Sequence, residues 1–184
     1  MTAGLDVARA QVAAYEPADA QQAELQAWIL GFCDSHPDAL LRTCGDGHLT
    51  GAAVVVAASR EHVLLHLHAK FGRWLQLGGH CDGDGDLAAV ALREAVEESG
   101  IASLVLDRGA GILDLDVHSV DPPGEAVHLH LDVAFLVHAP AGAVASMSAE
   151  SLDLRWFTWD EAARIADESR LVRLLSRARA AVQA

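Results

Sequence analysis

Positively charged residues are scarce in this sequence, and lysine occurs once, at Lys70. The 13 lysine and arginine residues are outnumbered by 26 aspartate and glutamate residues, giving a formal net charge of −13. Proteins that bind nucleic acid neutralise its phosphates with clustered lysine and arginine side chains. The composition therefore argues against nucleic acid as a main partner, and binding of a polyanion would have to be local and assisted by a metal.

Cysteine is also rare. Cys33, Cys44 and Cys81 are an odd number of residues without C-x-x-C spacing, which predicts neither a disulfide framework nor a cysteine-based zinc site. A signal peptide is not recognisable at the start of the sequence, and the longest apolar run, residues 51–58, is too short to span a bilayer. We therefore expect a soluble cytoplasmic protein with no membrane partner.

The remaining composition is that of a globular protein. With 184 residues, 52% of them hydrophobic, the chain can bury one good core. We expect an N-terminal helical extension over residues 1–45 and one domain over residues 46–184. In the extension, apolar residues at helical spacing predict a helix that begins near Pro17 and ends near His36.

Short apolar runs bounded by turn residues predict a series of strands. These runs cover residues 52–58, 61–69, 74–77, 111–120, 127–139 and 155–157. A Gly78-Gly79 turn, a helix over residues 87–99 and a last helix over residues 169–182 complete the pattern. Strands before and after a helix imply an α/β fold with a mixed sheet between helices. We expect the last helix to expose three arginines, which are Arg170, Arg173 and Arg177.

The helix at residues 87–99 has the clearest boundaries. It contains neither glycine nor proline, and its apolar residues recur at steps of three and four. Asp86 precedes it as an N-cap residue would, and Gly100 follows it as a left-handed C-cap would. The sequence therefore predicts both ends of this helix.

Glu94, Glu97 and Glu98 lie three and four residues apart, so their carboxylates converge on one patch of this helix. At about 6 Å and an effective dielectric of about 20, each like-charged pair repels by roughly 3 kcal/mol. A divalent cation would reverse the sign of that interaction. Hard oxygen ligands suit magnesium, manganese or calcium. For an isolated pattern of this kind, a solvated acidic face is the alternative interpretation.

The residues around these glutamates resemble the Nudix box, G-x5-E-x7-R-E-U-x-E-E-x-G-U, in which U is aliphatic. The matching positions are Gly79, Arg93, Glu94, Ala95, Glu97, Glu98, Gly100 and Ile101. Gly85 stands where the pattern has its first glutamate, and Asp84 or Asp86 is a candidate to replace it. In the family that glutamate mainly supports the helix by pairing with the arginine. Its loss is therefore expected to affect the residues that position the metal ligands more than the ligands themselves.

The resemblance covers about residues 49–166 and implies a Nudix-type α/β/α sandwich. Family members hydrolyse a nucleoside diphosphate linked to another group, and the resemblance implies that activity here, with Mg²⁺ or Mn²⁺ as cofactor. It also implies that Arg93 orients the glutamates. A homodimer is expected only because members of the family are commonly dimeric. The metal ligands that the resemblance implies are Glu94, Glu97, Glu98 and the backbone carbonyl of Gly78.

The general base stays open at this point, because related enzymes take it either from the box helix or from a later loop. Glu97 or Glu98 would serve from the helix. Glu150 and Glu125 are the loop candidates, and Glu150 is the preferred one.

Polar and apolar residues alternate along the strand at 127–139, so two histidines and an aspartate share one face. We interpret this face as part of a substrate cleft. The candidate substrate-binding residues are Arg73, His130 and Asp132. The alternative is a structural zinc site built from two His-x-His pairs, which are His66 with His68 and His128 with His130.

Two further functions are compatible with the sequence. The glycine at position 85 admits a nucleotide-binding sensor that keeps the fold and has lost turnover. One branch of the superfamily isomerises a prenyl diphosphate, and Cys81 is the residue that would suggest it here, although a buried thiol is the simpler interpretation of that cysteine.

Overall fold

The computed structural model describes residues 3–122, 124 and 126–183. The helices in these residues are α1 (Ala3–Ala13), α2 (Ala20–Ser35), α3 (Leu87–Ser99), α4 (Trp159–Ile165) and α5 (Ser169–Gln183). The strands are β1 (Gly47–Val56), β2 (His62–His68), β3 (Trp74–Leu75), β4 (Leu77–His80), β5 (Val105–Leu106), β6 (Ile112–Val120), β7 (His128–His138) and β8 (Ser151–Thr158). No helix in the described part of the chain has the length and apolar character needed to cross a bilayer.

Strand β1 is the centre of a mixed sheet. It pairs in parallel with β7, from Gly47 opposite Leu129 to Val56 opposite His138. On its other edge β1 pairs antiparallel with β4 at one end and with β2 at the other. The sheet continues from β2 to β3 and β8, and from β7 to β5 and β6, always antiparallel. The predicted mixed sheet is confirmed.

The two faces of the sheet carry separate apolar cores, because side chains alternate between faces along each strand. Leu49 and Val133 belong to the core that α1, α2 and α3 cover. Val54 and Leu136 belong to the core that α4 and α5 cover. Helices therefore lie on both faces, and the expected α/β/α sandwich is the observed architecture.

Helix α3 begins and ends where the sequence predicts. The Asp86 carboxylate accepts a hydrogen bond from the Ala89 N–H at 3.1 Å, and Gly100 adopts a φ of 67°. The buried side of the helix includes Val90, Ala91 and Ala95. These residues pack on β1. Another face of the same helix is therefore directed toward the edge of the sheet where β4 lies.

The predicted Gly78-Gly79 turn is wrong, since both residues belong to strand β4 and pair with Ala52 and Gly51 of β1. The reason for glycine is close approach. A Cβ on Gly78 would lie 2.6 Å from the Gly51 carbonyl oxygen. A Cβ on Gly79 would overlap the carboxylate of Glu94. The two glycines thus allow β4 to lie directly against β1 and under α3.

The first 45 residues contain one helix more than predicted. The expected helix is α2, which starts at Ala20, not Pro17, because Asp19 accepts a hydrogen bond from the Gln22 N–H at 2.9 Å. Helix α1 was not predicted. Its buried residues, Leu5, Ala8 and Val12, belong to the same core as the sheet.

Helix α2 is fixed to the sheet by a buried glutamine. The Gln22 side chain donates a hydrogen bond to the Leu115 carbonyl at 2.9 Å and accepts one from the Leu115 N–H at 2.8 Å. Because an unpaired amide would be costly at 0% exposure, these two bonds fix the position of α2 against β6.

The prediction that the arginines of α5 face solvent is wrong for Arg173 and Arg177, which face β6. Arg173 forms ion pairs with Asp114 at 2.9 Å and Asp116 at 2.7 Å, and Arg177 reaches Asp114 at 3.0 Å. Asp114 is only 3% exposed. A buried carboxylate requires a cationic partner, so these arginines are part of the packing between helix and sheet.

Strand β8 is longer than predicted. It spans Ser151–Thr158, whereas the sequence suggested residues 155–157, and the preceding loop is shorter accordingly. The extra residues pair with β2 as far as His68, opposite Ser151. This pairing brings the end of the loop, including Glu150, to the open side of the sheet.

Candidate active site

A cleft of about 640 Å³ opens on the side of the sheet where β4, the start of β7 and α3 meet. Its walls also include the loop after β2, the end of β6 and the start of α5. The acidic residues among its lining are Asp82, Glu94, Glu97, Asp121, Asp132, Glu150 and Glu168.

Five of the 13 cationic side chains also line this cleft, although the sequence suggested no cationic phosphate-binding region. They include Lys70, the only lysine, which is exposed. The four others all have acidic neighbours: Arg42 pairs with Asp82 at 3.3 Å, for example. The cleft therefore mixes both signs of charge, and the cationic residues that line it are Arg42, Lys70, Arg73, Arg93 and Arg170.

Glu98 is the most buried of the three glutamates, at 5% exposure. Its Oε2 accepts a hydrogen bond from the Gly78 N–H at 2.8 Å, and its Oε1 lies 3.6 Å from His66 Nδ1. Burial raises the pKa of Glu98 to about 8 and lowers the pKa of His66 to about 4. At neutral pH without a bound cation, both groups therefore favour their uncharged forms.

Glu94 is held by its neighbour in the sequence. Arg93 pairs with Glu94 at 2.9 Å and also donates a hydrogen bond to the His80 carbonyl at 2.9 Å. Burial raises the pKa of Glu94, with the charge of Glu97 adding to the effect and Arg93 opposing it. Arg93 thus joins α3 to the end of β4, which is a position consistent with the predicted orienting role.

Glu97 and Glu150 are exposed side chains that line the cleft. The charges of Glu150, Glu94 and Glu97 each contribute to the raised pKa of Glu98. The Glu150 carbonyl accepts a hydrogen bond from the Ala69 N–H at 2.9 Å, which fixes the loop beside β2. The loop candidate Glu150 therefore shares the cleft with the helix glutamates, whereas the other loop candidate, Glu125, lies outside the described residues.

The three candidate substrate-binding residues all line the cleft. The Arg73 side chain, 51% exposed, pairs with Asp167 at 3.6 Å and with Glu168. Asp132 accepts a hydrogen bond from the Thr50 hydroxyl and lies 3.5 Å from Arg170. Arg73 thus already pairs with two carboxylates, and Asp132 is already bonded to a hydroxyl and lies near an arginine. His130 lies among other histidines.

Five histidines gather at the end of the cleft nearest the start of β1 and β7. The ring of His48 lies 4.9 Å from that of His80, 5.0 Å from that of His128 and 4.9 Å from that of His130. Burial lowers the pKa of His48, His80 and His130 to about 4, so these rings are neutral at pH 7. We call His48, His80, His118, His128 and His130 the histidine cluster.

The histidine cluster differs from the two His-x-His pairs that the sequence suggested. His66 and His68 stand on β2, where His66 lies beside Glu98, and they are not part of the cluster. His48 was not singled out by sequence reasoning, since it follows a glycine-rich turn and has no histidine near it in the chain. The register that pairs His48 with His130 is the feature that joins them.

Helix α1 fills the position that the missing glutamate would approach. A Cβ on Gly85 would overlap the Gly4 carbonyl oxygen. Gln11 accepts a hydrogen bond from the Leu87 N–H at 3.0 Å and donates one to the Asp86 carboxylate at 3.0 Å. Asp86 therefore serves as a helix cap shared with α1, and Arg93 takes Glu94 as its partner.

Cys81 does not have the properties of a catalytic thiol. It is 1% exposed, and burial raises its pKa to about 12. A reactive cysteine needs an accessible thiolate, so the observation that suggested an isomerase gains no support from the structure.

A family model described as the NUDIX domain matches residues 47–177. No curated protein matches the chain. Among solved structures, the chain is similar to a C. elegans Ap4A hydrolase in a binary complex, with 19% identity, a TM-score of 0.60 and coverage of 73% of this chain and 97% of that one.

Two further structures are similar in fold. A hydrolase of the NUDIX family from Clostridium perfringens has 24% identity and a TM-score of 0.54, over 74% of this chain and 96% of that one. The NUDIX domain of Shewanella oneidensis NrtR, complexed with ADP ribose, has 18% identity and a TM-score of 0.52, over 73% and 87%. At these identities the likeness concerns the fold.

Proposed function

The chain belongs to the NUDIX domain family, and on this premise we propose that it is a divalent-metal-dependent hydrolase. Its substrate would be a nucleoside diphosphate linked to another group, and the bond cleaved would be the diphosphate linkage. The observation that carries the proposal is the contact between Glu98 and the Gly78 N–H, which joins the acidic face of α3 to strand β4 at the edge of the cleft.

The residues present fit Mg²⁺ or Mn²⁺. Glu94, Glu97 and Glu98 offer carboxylate oxygens, and the Gly78 carbonyl would be a further oxygen ligand. The raised pKa of Glu94 and that of Glu98 reflect burial and like charge, both of which a divalent cation would offset. When bound, such an ion supplies charge neutralisation for a diphosphate and lowers the pKa of a coordinated water.

The three carboxylates are not drawn tightly together by the protein alone. Among the described residues, sets of three candidate ligands whose atoms all lie within 4.8 Å occur at the histidines and not at the glutamates. Glu97 is exposed, so its side chain has room to move toward Glu94 and Glu98.

The chain's own residues would then act on the bound substrate and water. A carboxylate at the cleft, Glu150 or Glu97, would accept a proton from the attacking water as its oxygen bonds to phosphorus and the anhydride P–O bond breaks. Cationic residues around the cleft, such as Lys70 and Arg42, would attract the diphosphate and orient it. This division of roles would allow a protein of net charge −13 to bind an anionic substrate.

The test is product release from a panel that contains ADP-ribose, nucleotide sugars, dinucleoside polyphosphates, NADH, coenzyme A and nucleoside triphosphates. Each compound is incubated with the full chain and Mg²⁺ or Mn²⁺. A Glu97→Gln, Glu98→Gln double variant should lose at least about 100-fold in turnover, because general-base catalysis and the metal ligands are both affected. Glu24→Gln, at an exposed position of α2, is the matched control.

A catalytically weak nucleotide-binding sensor is the second candidate, and the observation that favours it is Gly85 in place of the box glutamate. The sensor hypothesis predicts that at least one compound of the panel raises the melting temperature of the protein while no compound is turned over. Turnover that depends on the glutamates would reject the sensor. A homodimer and a cytoplasmic location stay predictions.

A further inference from the structure

We propose that His48, His128 and His130 form a second metal site that binds a transition-metal ion of the zinc class. One ring nitrogen from each of the three lies within 4.8 Å of the others. This site is separate from the carboxylate site of the proposed hydrolase, and it uses imidazole nitrogens only.

The sheet itself assembles these three ligands. His48 on β1 stands opposite His130 on β7 in the parallel register, and His128 lies two residues earlier on the same face of β7. Strands are rigid supports, and adjacent strands lie about 4.8 Å apart, so directly opposite residues hold their side chains close together.

His48 provides an independent indication that a ligand belongs here. The residue is 1% exposed, and in the described part of the chain neither of its ring nitrogens has a hydrogen-bond partner. Buried polar groups are normally paired, and leaving one unpaired is unfavourable. A metal ion bound by one of these nitrogens would account for the burial of the ring among other histidines.

The ligand chemistry selects the ion. Neutral imidazole is a good ligand for Zn²⁺, Co²⁺, Ni²⁺ and Cu²⁺, whereas Mg²⁺ prefers oxygen. Three histidines with one position open to solvent is an arrangement that zinc adopts. His128 and His130 line the cleft, so the open position would face it.

A second set of candidate ligands, His118, His130 and Asp132, overlaps this one at His130. In that set Asp132 is already engaged, since it bonds the Thr50 hydroxyl and lies near Arg170. His118 Nδ1 lies 3.0 Å from the Asp116 carboxylate and His128 Nδ1 lies 2.8 Å from the Ala126 carbonyl oxygen, so these two contacts do not distinguish the sets. Because the nitrogens of His48 have no such partners, the set that contains His48 is the one we select.

His80 is the nearest further ligand. Its ring lies 4.9 Å from that of His48 and 5.6 Å from that of His130, but its Nδ1 contacts the Arg42 guanidinium at 2.8 Å. Arg42 keeps a positive charge beside the ring. We therefore assign three ligands and leave His80 as a neighbour of the site.

The test is metal binding by the full chain after removal of metals with a chelator. Competition with a chromophoric chelator should give one Zn²⁺ per chain, and Co²⁺ should give the visible absorption of a tetrahedral site. His48→Asn and His130→Asn should each weaken Zn²⁺ binding by at least about 100-fold, since even loss of outer-shell partners costs about 10- to 100-fold. The matched control is His62→Asn, on β2 away from the cluster.

The carboxylate site provides the second comparison. The histidine variants should retain Mn²⁺ binding, measured by electron paramagnetic resonance, and the Glu97→Gln, Glu98→Gln variant should retain the tight Zn²⁺ site. If Zn²⁺ binding is absent from the natural chain, or if it follows the glutamates instead of the histidines, the proposal is wrong. Failure of the proposed hydrolase would leave this result unaffected, because the readout is metal binding.

Folding of the variants is checked directly, because His48 is buried. His128 is less buried than His48, so His128→Asn provides a third variant of the same site with less effect on the core. In the natural chain, Zn²⁺ should raise the melting temperature, and this rise should disappear in each folded variant. A rise of the same size in folded His128→Asn would overturn the assignment of that ligand.

Discussion

The carbonyl oxygen of Gly4 occupies the space that a Cβ at Gly85 would need. Helix α1 therefore packs against the turn before α3 at the one position where the chain departs from the Nudix box. A glutamate cannot be accommodated there without moving α1. The departure at Gly85 thus has a packing reason, and it does not by itself indicate a lost activity.

Restoring glutamate at position 85 should therefore destabilise the protein. Gly85→Glu and the smaller Gly85→Ala should each lower the free energy of unfolding by about 1–3 kcal/mol, the range for overpacking a close contact. Urea denaturation gives the value. Gly45→Ala is the control, since nothing lies within 4 Å of a Cβ at that position. A Gly85→Glu variant as stable as the natural chain would contradict the docking of α1.

Gln11, which belongs to α1, should contribute to the stability of α3 although the two are far apart in the sequence. It bonds both the Leu87 N–H and the Asp86 carboxylate, so it satisfies part of the helix N-terminus. Gln11→Ala should cost about 1 kcal/mol, the usual value for a lost capping interaction. Thermal denaturation beside Gln21→Ala, an exposed position of α2, gives the comparison. Equal melting temperatures for the two variants would count against this role.

Arg173 should be important for stability because it neutralises Asp114 and Asp116 beneath α5. Arg173→Met would leave Asp114, at 3% exposure, with Arg177 as its remaining ion-pair partner. We expect a loss of about 3 kcal/mol, the lower end for breaking a buried ion pair.

The matched control for Arg173 is an exposed ion pair between another arginine of α5 and an aspartate of α4. Arg179 and Asp160 lie 2.8 Å apart, with side chains 46% and 77% exposed. Arg179→Met should change the free energy of unfolding by less than about 1 kcal/mol, as surface pairs do. If the two variants lost the same stability, burial of Asp114 would not be the cause.

In the metal-free protein, Glu98 should contribute a loss of stability as pH rises from about 4.5 to about 8, because burial raises its pKa from 4.5 to about 8. Within that interval the unfolded chain has released this proton and the folded chain retains it, so the contribution of Glu98 to the free energy of unfolding falls with rising pH. Below the interval both states hold the proton, and above it neither does.

Glu98→Gln isolates this effect. In urea denaturation with a chelator present, the free energy of unfolding of the natural chain relative to that of Glu98→Gln should fall as pH rises across the same interval, and Glu24→Gln should behave like the natural chain. Parallel pH profiles for the natural chain and Glu98→Gln would show that the proton on Glu98 is not responsible.

Helix α3 illustrates what local sequence can predict. Its apolar spacing, Asp86 and Gly100 all act within one or two helical turns, so the pattern specifies its residues without knowledge of the rest of the chain. Helix α1 was missed, although Leu5, Ala8 and Val12 have helical spacing. What fixes α1 is its packing on the sheet and on the loop at Gly85, and neither contact is local.

The Gly78-Gly79 prediction was wrong for a related reason. Glycine is common in turns, but here it allows backbone to approach backbone and a carboxylate to lie over the strand. Glycine suits both a turn and a close approach of backbones, so the residue type alone does not distinguish the two. The choice between them depends on β1, which pairs with β4, and on α3, whose Glu94 carboxylate lies against Gly79.

The acidic face of α3, the alternation along β7 and the mixed α/β architecture can be read from the residues alone, because they follow from periodicity and from short-range caps. Which polar residues meet depends instead on the folding of the whole chain. Thr50 and Asp132 bond across 82 positions of the chain, and His48 joins His130 through the same parallel pairing. The register of two parallel strands depends on everything packed against both faces, and a shift by one residue would turn each of these side chains to the other face.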